Sequence, residues 1–379
     1  MKKLFWIACA CLMAACTSDN TAPTVPVYGR TGWDDNTTEQ SLRENFTAWR
    51  DHGVIGVCLN VGMDTMKARI GAQVAHELGM EFHAWAPSMI NGECDSTWYT
   101  VNRLGESAFN KEKRAYVEYY ATLDPHNPDV IQYIIDKYSA LADIPGVDYV
   151  QFDYIRYADV ILSEGLWDKY NGKIAHEWRD AEGNVHEYPG ADYCYCDACC
   201  ADFLAKTGID IKAKLAEGVD PATIKEWAQF RCDNVTNLVN KVVEAIHAKG
   251  KKVSADVFPG PQSHAVKMVR QEWNKWNVDM FLPMNYNDFY LQPASWLYEI
   301  TKAEVQSTDK PVFICRNWPR KLELDDPEDS GLLPSEIAEA VSGAMRAGAT
   351  GICLFTPNDM TDEHWAELDK AIHKSYKAE

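Results

Sequence analysis

The sequence predicts an α/β protein, a TIM (β/α)8 barrel with a long cysteine-containing insertion after the fourth strand. Three observations predict it. Eight short apolar runs alternate with segments of helical periodicity along 379 residues. The runs lack a clean period of two, as expected for strands covered on both faces. The length suits one barrel of ~250 residues plus insertions. The competitor is a doubly wound open sheet. No GxGxxG follows an early strand and no GxxxxGK[ST] occurs, so its nucleotide-binding versions have no support.

The elements follow in order. Val25–Tyr28 reads as the first strand and Thr38–His52 as its helix. Val54–Asn60 is a buried strand, and Asp64–Leu78 has helical spacing that stops at Gly79. Met80–Trp85 is the third strand; a polar loop and helix Pro128–Ala142 follow. Val147–Tyr154 is the fourth strand. The insertion runs over about 158–221, and helix Ala222–Lys249 leads into Lys252–Phe258. Helix Ala265–Trp276 leads into Val278–Tyr286, and Ala294–Val305 into Pro311–Cys315. Pro334–Ala347 leads into Gly351–Phe355, and Asp362–Lys377 closes the chain.

Composition narrows the function. A content of 46% hydrophobic and 25% charged residues excludes a disordered chain. The formal charge of −19 argues against nucleic acid or an anionic membrane as a partner of the general surface. Residues 1–15 read as an export signal: Lys2 and Lys3, then an apolar run too short to span a bilayer. Met13-Ala14-Ala15-Cys16 resembles a lipobox, which makes Cys16 the expected lipidation site; an ordinary cleaved secretory peptide is the alternative. Residues 16–26 would then be a tether and 27–379 the barrel. The expected location is the outer membrane, at the cell surface or periplasmic face, held through the N-terminal lipid only. Thr17-Ser18-Asp19-Asn20 resembles the surface-sorting signal of Bacteroidetes lipoproteins.

In a barrel the active site lies where strands end and βα loops begin. The third strand ends His83-Ala84-Trp85 and the fourth Gln151-Phe152-Asp153-Tyr154-Ile155-Arg156-Tyr157. The fifth carries Asp256, the sixth ends Asn285-Tyr286-Asn287-Asp288, and the seventh Arg316-Asn317-Trp318. Carboxylates interleaved with aromatic rings suit a carbohydrate, because rings stack on sugar faces.

Asp148–Tyr157, DYVQFDYIRY, resembles the fourth strand of chitinase-like and other uncharacterised glycosyl-hydrolase-like barrels. Asp279–Tyr286 resembles their M-x-Y strand, and Lys252–Phe258 fits as well. The resemblance spans about Val25 to Lys377. It implies glycosidase-like chemistry on a poly- or oligosaccharide, with no cofactor. One departure stands out. The chitinase pattern D-x-x-D-x-D-x-E falls on Asp148, Gln151, Asp153 and Ile155, so the terminal acid is missing.

Glycoside hydrolysis usually takes two carboxyl groups, one protonated and one ionised. Asp153 is the first candidate and Asp256, on the adjacent strand, the second; Asp288 and Glu93 are back-up acids. His83, Trp85, Arg156, Asn285, Tyr286, Asp288, Arg316 and Trp318 are the candidate substrate-binding residues. Structural readings compete: an Asp153–Arg156 ion pair, and a satisfied core histidine at His83. Three function classes follow. A glycoside hydrolase leads, an inactive glycan-binding barrel is second, and a metal-dependent hydrolase is third, because His83 is the one strand-end histidine and no H-x-H occurs.

Of 12 cysteines, nine lie beyond Cys16. Cys194, Cys196 and Cys199 read first as structural disulfides or unbonded thiols, as an exported location favours; their C-x-C-x-x-C spacing makes a structural metal site, with His186 or Cys232 as fourth ligand, the second reading. Cys58, Cys315 and Cys353 read as small core residues inside strands.

Overall fold

The computed structural model describes residues 23–166, 179, 182, 184–317 and 333–379. Eight strands, β1 (Val27–Gly32), β2 (Val54–Asn60), β3 (Glu81–Pro87), β4 (Tyr149–Asp153), β5 (Lys252–Val257), β6 (Met280–Pro283), β7 (Phe313–Asn317) and β8 (Gly351–Phe355), form one parallel sheet. Its order runs β6-β5-β4-β3-β2-β1-β8-β7, and the parallel bridges Phe281–Val312 and Met284–Cys315 join the two ends. The sheet is therefore closed, and the chain is a (β/α)8 barrel.

Helices α1 (Glu39–Asp51), α2 (Thr65–Glu77), α3 (Pro128–Ala142), α4 (Asp197–Thr207), α5 (Ile211–Ala216), α6 (Lys225–His247), α7 (His264–Val269), α8 (Trp296–Ser307), α9 (Pro334–Arg346) and α10 (Asp362–Ile372) accompany the strands. Short polar residues cap several of them. Thr38 caps α1 in a reciprocal box with Ser41, Asp64 caps α2 through two backbone N–H groups, and Asn127 caps α3 ahead of Pro128. Helices α4 and α5 lie in the insertion after β4.

Alternation along each strand builds two cores. Val57, Leu59, Phe82, Val150 and Phe152 face the helices. Tyr28, Cys58, Tyr149, Leu282, Phe313, Cys315 and Cys353 fill the barrel itself. The three strand cysteines are thus small core residues, as expected. Gly56 has a local reason: a Cβ there would collide with the Tyr28 ring.

Several boundaries differ from the sequence reading. Strand β1 continues through Arg30 to Gly32, because its backbone pairs with both β2 and β8. Strand β4 stops at Asp153, since Tyr154 takes φ +47° and turns the chain out of the sheet. The expected helix 265–276 breaks after Val269. There Arg270 adopts φ +60° and folds its guanidinium back onto the Lys267 carbonyl and across to Glu187.

Candidate active site at the barrel mouth

The registers decide which side chains meet. Pairing of Phe152 with Ala255 brings Asp153 and Asp256 level, and pairing of Pro87 with Asp153 brings Trp85 beside them. Arg30, on β1, reaches across the barrel to both acids. Its Nη2 lies 3.0 Å from Asp153 Oδ2 and 2.8 Å from Asp256 Oδ2. Its Nη1 donates to Asp256 Oδ1 at 3.0 Å. The guanidinium lies 3.7 Å from the Trp85 ring centre, and the indole Nε1 donates to Asp153 Oδ2 at 3.0 Å. The Tyr154 N–H supplies Asp153 Oδ1 at 2.7 Å. Asp153 thus accepts three N–H donors.

The two acids have different surroundings. Asp153, 5% exposed, forms part of the floor of a cavity of about 400 Å3. That volume is within the range of small-ligand sites, roughly 300–1,000 Å3. Asp256 lies beneath Arg30 and outside the cavity wall, where Gln151 Nε2 donates to both its oxygens at 3.0 Å. Burial, aided by the nearby Asp153 charge and opposed by Arg30, pushes its carboxyl well above the usual range.

A second cluster forms the cavity wall. Arg156 donates to Asp159 Oδ2 at 2.9 Å and to the Tyr120 hydroxyl at 3.0 Å. Tyr116 and Tyr120 donate to the same Asp159 oxygen at 2.5 and 2.9 Å. Rings of Tyr154, Tyr286, Phe289 and Phe355 complete the walls.

Of the residues expected at a site, Asp153, Trp85, Arg156 and Tyr286 meet at this cavity. The others lie elsewhere. His83 faces into the barrel two residues below Trp85, fully buried, stacked on Tyr149 at 4.2 Å and bonded to Ser254 Oγ at 3.0 Å. Burial lowers its pKa to about 3, so it is a neutral core residue. Asn285 lies behind the barrel and donates to Glu304 of α8 at 2.9 Å. Arg316 alternates with the inward Cys315 and bonds Asn287 Oδ1 through Nε and Nη2 at 3.0 and 2.8 Å. Asp288 is half-buried and Glu93 exposed, and neither is part of the wall. Arg156 pairs with Asp159, and Asp153 with Arg30, so the expected Asp153–Arg156 pair does not form. Trp318 and Cys16 lie outside the described residues. The sequence reading missed Arg30, Tyr116, Tyr120 and Asp159. Arg30 had a signal, since Tyr28 and Arg30 are two residues apart and share the inward face.

The barrel is similar to the glycoside hydrolase domain of PgaB (BpsB) from Bordetella bronchiseptica, with 13% identity and a TM-score of 0.66 over 93% of this chain and 100% of that one. It is also similar to the β-amylase catalytic domain from Paenibacillus polymyxa, with 11% identity and a TM-score of 0.60 over 93% and 100%. No curated protein matches the sequence. Residues 95–311, more than half of the chain, match the family described as "Putative glycosyl hydrolase domain".

Proposed function

The chain belongs to this glycosyl hydrolase domain family, and from that premise we propose that it hydrolyses a poly- or oligosaccharide with Asp153 as the ionised carboxylate beside the reacting carbon. One observation carries this reading. Asp153 is a strand-end carboxylate on the floor of an aromatic-walled cavity, and three N–H donors converge on it. The three donors fix the orientation of the carboxylate toward the cavity, as a nucleophile, base or oxocarbenium stabiliser requires.

Asp256 takes a different part from the one its sequence position suggests. A guanidinium lies between it and Asp153, so no glycosidic oxygen fits between the two acids. Asp256 acts through Arg30 as a positioning residue. Asp159 is the other carboxyl group on the cavity wall among the described residues. If Asp159→Asn slows a natural glycan and spares an activated aryl glycoside, Asp159 donates the leaving-group proton. Equal slowing of both makes it a binding group.

The protein is exported and anchored by a lipid on Cys16, with Met13–Cys16 as the supporting motif. Cys16→Ala should release it from membranes or block processing; unchanged mobility and fractionation would contradict the anchor. Turnover of a glycan panel by the wild-type protein, lost in Asp153→Asn, tests the activity. Retained glycan binding with no turnover by either protein would instead identify an inactive binding barrel, the reading that the absent acid at Ile155 favours.

A further inference from the structure

We propose that Asp124, Cys194, Cys196 and Cys199 hold one Zn2+ in a closed tetrahedral site that clamps the β3 loop to the insertion. One ligand atom from each of the four residues lies within 4.8 Å of all the others. Zinc with thiolate sulfur at ~2.3 Å and carboxylate oxygen at ~2.1 Å needs neighbouring ligands roughly 3.6–3.8 Å apart. Asp124 Oδ2 lies 3.4, 3.1 and 3.6 Å from the sulfurs of Cys194, Cys196 and Cys199. A slight expansion of the cluster accommodates the ion.

The surroundings are those of a metal ligand set. Cys196 is the N-cap of α4 and Cys199 its third residue, so one helix start presents both sulfurs to the cluster. The Val101 N–H donates to Cys194 Sγ and the Cys199 N–H to Cys196 Sγ, both at 3.4 Å. Backbone donors of this kind orient metal-bound thiolates. Without a cation, the buried carboxylate would depend for its Oδ2 contacts on thiols, which are weak donors. Neither expected fourth ligand takes part. His186 is exposed and faces the Glu187 carbonyl, and Cys232 lies on α6 outside the cluster. Cys200 also turns away, toward the Tyr195 carbonyl at 3.5 Å.

All four ligands are supplied by protein and three are fully buried, so no coordination position is open to a substrate. The role is structural. Asp124 closes the loop that carries Tyr116 and Tyr120, and the cysteines belong to the insertion that begins near Asp159. One ion therefore joins the two segments that form the cavity wall.

The test is metal analysis of the full-length protein purified with a thiol reductant, followed by Co2+ exchange. The expected result is about one Zn2+ per chain in wild type and Cys200→Ser. Cys196→Ser should lose it, and Asp124→Cys should keep it as an all-thiolate site. Co2+ should give the intense visible bands of a tetrahedral thiolate complex, a readout on wild type that does not depend on any variant folding. Absence of Zn2+ and of Co2+ binding in reduced wild type would overturn the site. So would a disulfide among Cys194, Cys196 and Cys199 in alkylated, unreduced protein, or full metal retention in Cys196→Ser.

Discussion

Two buried arginines hold carboxylates at the barrel mouth, and they are built differently. Arg30, Asp153 and Asp256 come from β1, β4 and β5, and the sheet register alone brings them together. Arg156, Asp159, Tyr116 and Tyr120 come from loops after β4 and β3, and no strand register fixes the approach of the tyrosines to the Arg156–Asp159 pair. In the first cluster one cation serves two acids. In the second, one acid is shared by a cation and two hydroxyls. Burial pushes one acid of the strand cluster, Asp256, toward its neutral form, so the clusters differ in exposure to the cavity and in donors rather than in net charge: Asp153 faces the cavity, and Asp159 is saturated with donors. A carboxylate held at the cavity is where developing positive charge on a sugar is best stabilised.

The first way to break this comparison is to remove each cation. Arg30→Met leaves two carboxylates in a buried site without their partner. We expect a loss of about 3–5 kcal/mol in unfolding free energy, read by urea denaturation. Arg156→Met leaves Asp159 its two tyrosine donors, so the expected loss is smaller, about 2 kcal/mol. Equal losses would mean that the hydroxyls contribute nothing to holding Asp159.

A third buried acid sharpens the point. Glu304, behind β6, has no cation partner among the described residues; it accepts from Asn285 at 2.9 Å and from the Gly260 N–H at 3.0 Å. Burial outweighs these donors and pushes its pKa to about 8, from an ordinary 4.5. The folded state then holds a proton that the unfolded state has released. Its stabilising contribution is complete below pH ~4.5 and is lost as pH rises through 8. Glu304→Gln should remove this loss, so that wild type falls relative to the variant between pH 4.5 and 8 by on the order of a few kcal/mol. Parallel stability curves across that range would contradict the assignment.

The smallest effect belongs to the surface. Arg346 bonds Glu379 in a two-point contact at 2.9 and 2.8 Å, with both side chains about half exposed. Water and salt screen such a pair, so Arg346→Met should leave the melting temperature within error.

The same contrast explains what the sequence made legible. Eight apolar runs gave the barrel, and position at a strand end singled out Asp153, Trp85 and Asp256. Alternation limits that reading to every second residue. Asn285 and Arg316 stand one place off the inward face and turn to Glu304 and Asn287 instead. Arg30 was hidden by a strand boundary set at Tyr28, where the polar run RTGWDD resembles a loop. Asp159, Tyr116 and Tyr120 had no such signal, because their contact depends on how two long loops close over the mouth. Asp124 was hidden in the same way, 70 residues from the nearest cysteine of its cluster.

The central claim is that Asp153 provides the charge that turnover needs. The direct test is Asp153→Asn, with kcat measured on a glycan that the wild-type protein cleaves and Kd measured on the same glycan. An interaction used mainly in the transition state should cost kcat on the order of 10^3-fold, about 4 kcal/mol, and leave Kd within about threefold. Wild-type kcat in a folded Asp153→Asn protein would contradict the account.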